Sequence, residues 1–230
     1  HHVSTNTPPS ASISPEDFRK HLDYLQKNDF NVIPLNEMLE TLKAGGQLPD
    51  KAVAITFDDG YISIYDTAFP MLKTYGFPFT LFLSTGPIDR QQQNFISWEQ
   101  INEMSKAGVI IANHMVEHPY MLDREQEESA AEWISRLETE LLEAELRIEQ
   151  QTGQSHRYLA YPYGEFNTEI KRMLEVNDFI GLAQNSGAVG VNSDFLALPR
   201  FPLASIYANL ETAKIKFDSK AFNVELIQPL

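Results

Sequence analysis

The sequence predicts an α/β fold, a parallel sheet closed or covered by helices, on three observations. Short apolar runs rich in β-branched residues alternate with amphipathic helical stretches from end to end. The chain's 230 residues, 43% of them hydrophobic, can bury a sizeable core, about 70% of the surface that an unfolded chain of this size exposes. No repeat, low-complexity tract or linker divides the length, so residues 1–230 read as one domain.

After a Pro/Ser/Thr-rich segment from Val3 to Ser12, Ser14 reads as a helix N-cap, with Pro15 at the first helical position and Glu16 and Asp17 in the first turn. Phe18, Leu22 and Leu25 give that helix one apolar face. An apolar piece at Phe30 to Leu35 precedes a second helix, capped by Asn36 and stopped at Gly45-Gly46. Ala52 to Phe57 is a buried strand by length and composition, and it runs into Asp58-Asp59-Gly60. Pro70 interrupts the next helical stretch, and Gly76-Phe77-Pro78 turns into the strand Phe79 to Ser84. Ser97 and Gln100 have capping-box spacing for a helix ending near Gly108, after which the strand Val109 to Ala112 delivers Asn113-His114. The longest helix is expected from Arg124 to Gln151, with Trp133, Leu137, Leu141, Ala144 and Ile148 inward and a solvated Glu-rich remainder. Tyr158 to Tyr161 then reads as a strand, Thr168 to Val176 as a helix, and Phe179 to Ala183 and Phe195 to Leu198 as strands.

Composition excludes several classes of function. A net charge of −14 repels phosphate backbones and anionic lipid surfaces, so nucleic acid is not an expected partner. No apolar stretch approaches the ~18 residues of a transmembrane segment. The chain opens on His1-His2-Val3 without an initiator methionine, as a processed or trimmed start does. With no cysteine, any metal must be held by His, Asp or Glu.

In sheets of this kind chemistry collects where strands end, and four strand ends carry polar residues. Asp58 and Asp59 follow the first; side by side on an extended backbone they point apart, so one can bind metal while the other faces substrate. The plain alternative is an Asx-type turn completed by Gly60. His114 and His118 follow another strand at a spacing that sets two imidazoles on one side of a helical turn. Met115 stands where zinc proteases of the His-Glu-x-x-His type need their Glu, which disfavours that class. With Asp59 the histidines would make a three-ligand site with open positions, suited to a zinc-like ion. Tyr161-Pro162-Tyr163-Gly164 follows a third strand, and Arg200 a fourth.

Taken in order, Thr56-Phe57-Asp58-Asp59-Gly60, His114-Met115-Val116-Glu117-His118 and Tyr161-Pro162-Tyr163-Gly164 resemble the first three motifs of the polysaccharide deacetylases, the NodB-homology or carbohydrate esterase family 4 group. The likeness spans nearly the whole chain. It implies a single distorted (β/α) barrel, hydrolytic removal of acetyl groups from sugars, and one divalent metal ion, zinc first, with cobalt, nickel or iron as alternatives. It further implies that Asp59, His114 and His118 are the metal ligands, that Asp58 is the general base, and that the Tyr163 N–H faces the oxyanion, with Tyr161 and Pro162 also at the substrate.

Three departures stand out. Met115 replaces the usual Ser or Thr of the second motif. Ala160 replaces an arginine that orients the base, and Arg200 is the expected substitute. No Leu-x-His motif follows Arg200, so the customary general acid is missing. His21 lies on the first helix and His156 at the wrong end of its strand. His1 is therefore the expected acid, as His1-His2 resembles the Tyr-His segment of poly-β-1,6-N-acetylglucosamine deacetylases; the competing reading is a tag remnant.

The expected substrate is an N-acetylglucosamine-containing polysaccharide, with peptidoglycan and O-acetylated sugars as alternatives. The likeness implies an extracellular, periplasmic or cell-envelope location. Two rivals are weaker. A non-catalytic carbohydrate-binding barrel is permitted by Ala160 and the missing acid. A glycosidase would need carboxylates flanking the bond at ~5 to 9 Å, which adjacent residues on one strand end do not offer.

Overall fold

The computed structural model describes residues 1–217. A short parallel pair, β1 (His2–Val3) with β2 (Ser12–Ile13), precedes α1 (Pro15–Lys27), whose Ser14 cap accepts a hydrogen bond from the Asp17 amide as expected. β3 (Asn31–Val32), α2 (Leu35–Lys43) and β4 (Ala52–Val53) follow, β3 and β4 forming a second parallel pair. α2 starts one residue before the expected Asn36 cap, directly after Pro34; with no side-chain cap there, Pro34's fixed φ alone sets the entry.

The main sheet has five parallel strands in the order of the chain: β5 (Ile55–Phe57), β6 (Phe79–Leu83), β7 (Ile110–Asn113), β8 (Tyr158–Ala160) and β9 (Ile180–Leu182). It curls into a half-barrel. The single strand expected over Ala52 to Phe57 divides at Ala54, because β4 pairs with β3 while β5 pairs with β6. The helices between strands are α3 (Phe69–Tyr75), α4 (Thr85–Asp89), α5 (Trp98–Lys106), α6 (Ala130–Thr152) and α7 (Thr168–Val176); α8 (Leu210–Phe217) follows. Pro70 lies in the first turn of α3, behind a π-helical turn at Ile64–Ala68, where its missing N–H is harmless.

Period-two alternation sorts the strands' side chains onto two faces. Leu81, Leu83 and Ile111 pack into one core with α1, α3 and α5, and Leu159 into another with Trp133, Leu137 and Leu141 of α6. Phe82, Ala112, Tyr158, Ala160, Ile180 and Leu182 face the inside of the curl, which Leu35 and Leu39 of α2 fill from one end.

Three further expectations change. α6 begins at Ala130 rather than Arg124, because Ser129 and Glu132 form a capping box that fixes its first turn. Its Glu-rich face is not wholly solvated. Glu145 is buried and accepts hydrogen bonds from Ser155 Oγ, the Arg157 amide and Asn113 Nδ2. The strand expected over Phe195 to Leu198 reduces to one parallel bridge, Leu182 to Leu198. Asp194 ties its own carbonyl to the Ala197 amide and its carboxylate to the Leu196 amide, folding the segment into a turn. No helix among the described residues is long and apolar enough to cross a membrane.

Candidate active site

Strand register brings the C-terminal ends of β5, β6, β7 and β8 side by side, with Leu83 opposite Asn113 and Asn113 opposite Leu159. The next residues along those strands carry the polar groups. Asp58 is buried at the end of β5 and held by both arms of Arg200, Nη1 to Oδ1 at 2.7 Å and Nη2 to Oδ2 at 2.8 Å. The guanidinium also donates to the Ala183 carbonyl at 3.0 Å and to Thr56 Oγ1 at 3.3 Å, and lies over the Phe82 ring. It enters the inner face where Ala160 leaves room. Burial pushes the Asp58 carboxyl up, but the charges of Arg200 and His114 outweigh it and hold the group below the usual carboxylate range.

Asp59 takes left-handed backbone angles, φ 76°, which turn its carboxylate away from that of Asp58. Gly60 continues the turn at φ 94°, where a Cβ would stand 2.9 Å from Leu83 Cδ2. His114 is fully buried and its Nδ1 lies 2.6 Å from the Ala160 carbonyl. A carbonyl only accepts, so Nδ1 donates there and Nε2 is left to face Asp59 Oδ1, 3.1 Å away. His118 Nε2 lies 3.4 Å from the same oxygen.

The expected helical turn between the histidines is absent. Met115 and His118 both adopt left-handed angles in an irregular loop, pinned where the Met115 amide donates to Asn113 Oδ1 at 2.8 Å. Burial and the neighbouring His114 lower the His118 pKa to about 4, which leaves its imidazole neutral near pH 7. Two imidazole nitrogens and a carboxylate oxygen, all within 4.8 Å of one another, fit a divalent transition ion and leave positions open.

His1 also reaches this cluster, its Nδ1 2.8 Å from Asp59 Oδ2. Burial lowers the His1 pKa, but contact with the Asp59 carboxylate overcomes it and the net shift is upward. The same contact and that of His114 overcome burial at Asp59, whose carboxyl stays well below the usual range. A cavity of about 420 Å³ opens on the cluster, lined by His1, Asp59, Tyr61, Phe95, His118 and Tyr163 among others. Of the three aromatic-motif residues expected at substrate, Tyr163 alone lines it. Tyr161 is buried with its hydroxyl donating to the Leu196 carbonyl at 2.6 Å, and Pro162 is buried beside it, so both support the turn from below.

Sequence reasoning missed a second group of rings, His2 stacked on Tyr61 at 3.9 Å and Tyr61 against Phe95 at 4.7 Å. It also missed Asn113. Its one sequence signal is its place immediately before His114.

A curled parallel sheet with an Asp-His-His cluster and a clamped second carboxylate at its strand ends defines an α/β-barrel protein with a candidate metal site. The sequence model of the polysaccharide deacetylase family matches residues 45–179, and the chain belongs to that family of hydrolases. The poly-beta-1,6-N-acetyl-D-glucosamine N-deacetylase of Staphylococcus epidermidis is 28% identical over 197 residues, covering 82% of this chain and 67% of that protein. Among solved structures, IcaB from Ammonifex degensii superposes with a TM-score of 0.76 at 26% identity, covering 90% of this chain and 94% of that one. A de-N-acetylase from Aggregatibacter actinomycetemcomitans gives a TM-score of 0.82 at 22% identity, covering 94% of each chain.

Proposed function

We propose that this chain is a metal-dependent N-deacetylase of a polysaccharide containing N-acetylglucosamine, with residues 1–230 as one catalytic domain. The observation that carries the reading is the convergence of His114, His118 and Asp59, whose candidate ligand atoms all lie within 4.8 Å of one another at the strand ends. Two imidazole nitrogens and a carboxylate oxygen so placed are a donor set suited to a divalent transition ion. Asp59, His114 and His118 would hold that ion, zinc by its nitrogen and oxygen donors, with cobalt, nickel or iron as alternatives. When bound, it supplies Lewis acidity, polarising the acetyl carbonyl and making water more acidic.

The chain's own groups do the rest. Asp58, ionised and fixed by Arg200, accepts the proton of the attacking water. The Tyr163 N–H, held in a left-handed turn at φ 55° and with no backbone acceptor found among the described residues, stabilises the developing oxyanion. His1, whose pKa the Asp59 carboxylate raises, donates a proton to the departing amine.

The Staphylococcus epidermidis relative's name and the IcaB likeness support β-1,6-linked N-acetylglucosamine as the substrate and a location outside the cytoplasm, where such polymers lie. The test is acetate release from N-acetylglucosamine oligosaccharides by the purified protein. Acetate release abolished by a chelator and restored by zinc is the expected result; release insensitive to chelation, or binding of the oligosaccharides with no acetate under any metal, overturns it.

A further inference from the structure

Beside the cavity, three rings form a ladder leading away from the cluster. His118 meets Tyr163 edge-on at 4.4 Å and 76°, and Tyr163 stacks on Tyr120 at 4.1 Å and 4°. Exposure rises along it, from 22% for the His118 side chain to 47% for Tyr163 and 55% for Tyr120. One face of Tyr120 is covered by Tyr163, no other ring among the described residues packs on it, and the residue as a whole is exposed. Tyr120 does not line the cavity itself; it stands one ring further out than Tyr163, which does.

Two parallel tyrosines so exposed leave a large flat apolar surface in water, at a cost that a bound apolar face would offset. The backbone holds this surface still. Pro119 fixes the chain between His118 and Tyr120, His118 sits at φ 53°, and the Tyr120 carbonyl accepts from the Asp123 amide at 3.1 Å. A rigid ring with two χ angles loses little conformational freedom on binding.

We propose that the open face of Tyr120 is a sugar-binding subsite for the hexosamine unit next to the one being deacetylated, with Tyr163 as its buttress. In a β-linked N-acetylglucosamine unit the ring substituents are equatorial, so the axial C–H groups make each face of the pyranose apolar and flat enough to lie on an aromatic ring. The ladder then works as a ruler: the acetamide of one unit enters the cavity beside His118 while its neighbour rests on Tyr120. This inference rests on the deacetylase reading and adds to it a requirement for a chain of sugars. It also gives Tyr120 a role that no motif contains.

Affinity measures the subsite independently of turnover. Calorimetric titration of the β-1,6-linked N-acetylglucosamine pentasaccharide and of the monosaccharide into wild type, Tyr120→Ala and Tyr120→Trp, each also carrying Asp58→Asn to prevent hydrolysis, separates the outcomes. Tyr120→Ala is expected to weaken the pentasaccharide about tenfold, the size of one lost aromatic stacking contact, with a much smaller loss for the monosaccharide and recovery in Tyr120→Trp. Equal losses for both sugars, which would make Tyr120 a mere support for His118, or no loss at all, overturn the proposal. Acetate assays of the same variants without Asp58→Asn report on the deacetylase reading by itself. Wild type that binds the pentasaccharide through Tyr120 yet releases no acetate would sink that reading and leave the subsite standing.

Discussion

Asp58 and Asp59 are neighbours in sequence with opposite surroundings. Asp58 faces a guanidinium that satisfies both its oxygens, and its counter-charge is built into the chain. Asp59 faces three imidazoles instead, those of His1, His114 and His118. Left-handed backbone at Asp59 makes this possible by turning the second carboxylate into a different environment from the first. The lesson is that a carboxylate clamped by a guanidinium has no room for another cation, whereas one ringed by imidazoles belongs to a donor set that a metal ion can share.

The largest test of that contrast is to remove the imidazole-facing side. Asp59→Ala and His114→Ala should each lower metal affinity by well over about 100-fold, more than the loss of an outer-shell partner, and abolish acetate release. Elemental analysis of the purified variants reads the metal. Next, Asp58→Asn should retain an equimolar metal content while kcat falls by about 10² to 10⁴. Equal metal loss in Asp58→Asn and Asp59→Ala would erase the distinction between the two carboxylates.

Removing the clamp sharpens it. In Arg200→Ala burial becomes the dominant influence on Asp58 and its pKa rises. A carboxylate whose folded pKa is depressed contributes stability above its unfolded value, near 3.9, and loses it as pH falls through the folded value. The variant should therefore lose stability at neutral pH, by about 3 to 5 kcal/mol for an uncompensated buried charge, measured by urea denaturation. The acid limb of its kcat/KM profile should move to higher pH, while metal content stays. An unshifted limb would show that Asp58 is not the group whose ionisation governs rate.

The smallest effect belongs to Asn113, which contacts neither carboxylate. Its amide donates to the Leu141 carbonyl and to Glu145 while its oxygen holds the Met115 amide, and this fixes the irregular loop from His114 onward. Asn113→Ala should weaken metal binding about tenfold, as outer-shell changes do. It should also lower stability by about 1 to 3 kcal/mol by leaving a buried carboxylate short of a donor.

Local signals carried much of this into the sequence. Ser14 and Ser97 each mark a helix start because capping is decided within one turn, and the two motifs at the ends of β5 and β7 are contiguous. Arg200 was legible only through the family resemblance, in which Ala160 stands where an arginine is usual and a substitute had to come from another strand. What stayed hidden depends on partners far along the chain. The split at Ala54 reflects strand pairing on both sides, the loss of the Phe195 to Leu198 strand follows from Asp194's turn, and the stack of Tyr120 on Tyr163 joins two loops. Glu145 looked solvated because its helix is rich in glutamate, yet it anchors the Asn113 network.

The clamp on Asp58 closes over 142 residues of chain, whereas Asp59, His114 and His118 are all present once residue 118 has been made. A polypeptide emerging from the ribosome thus holds the three candidate ligands well before it holds the arginine that clamps Asp58. The candidate metal cluster is encoded between residues 59 and 118, while the clamp waits for the last strand-end segment.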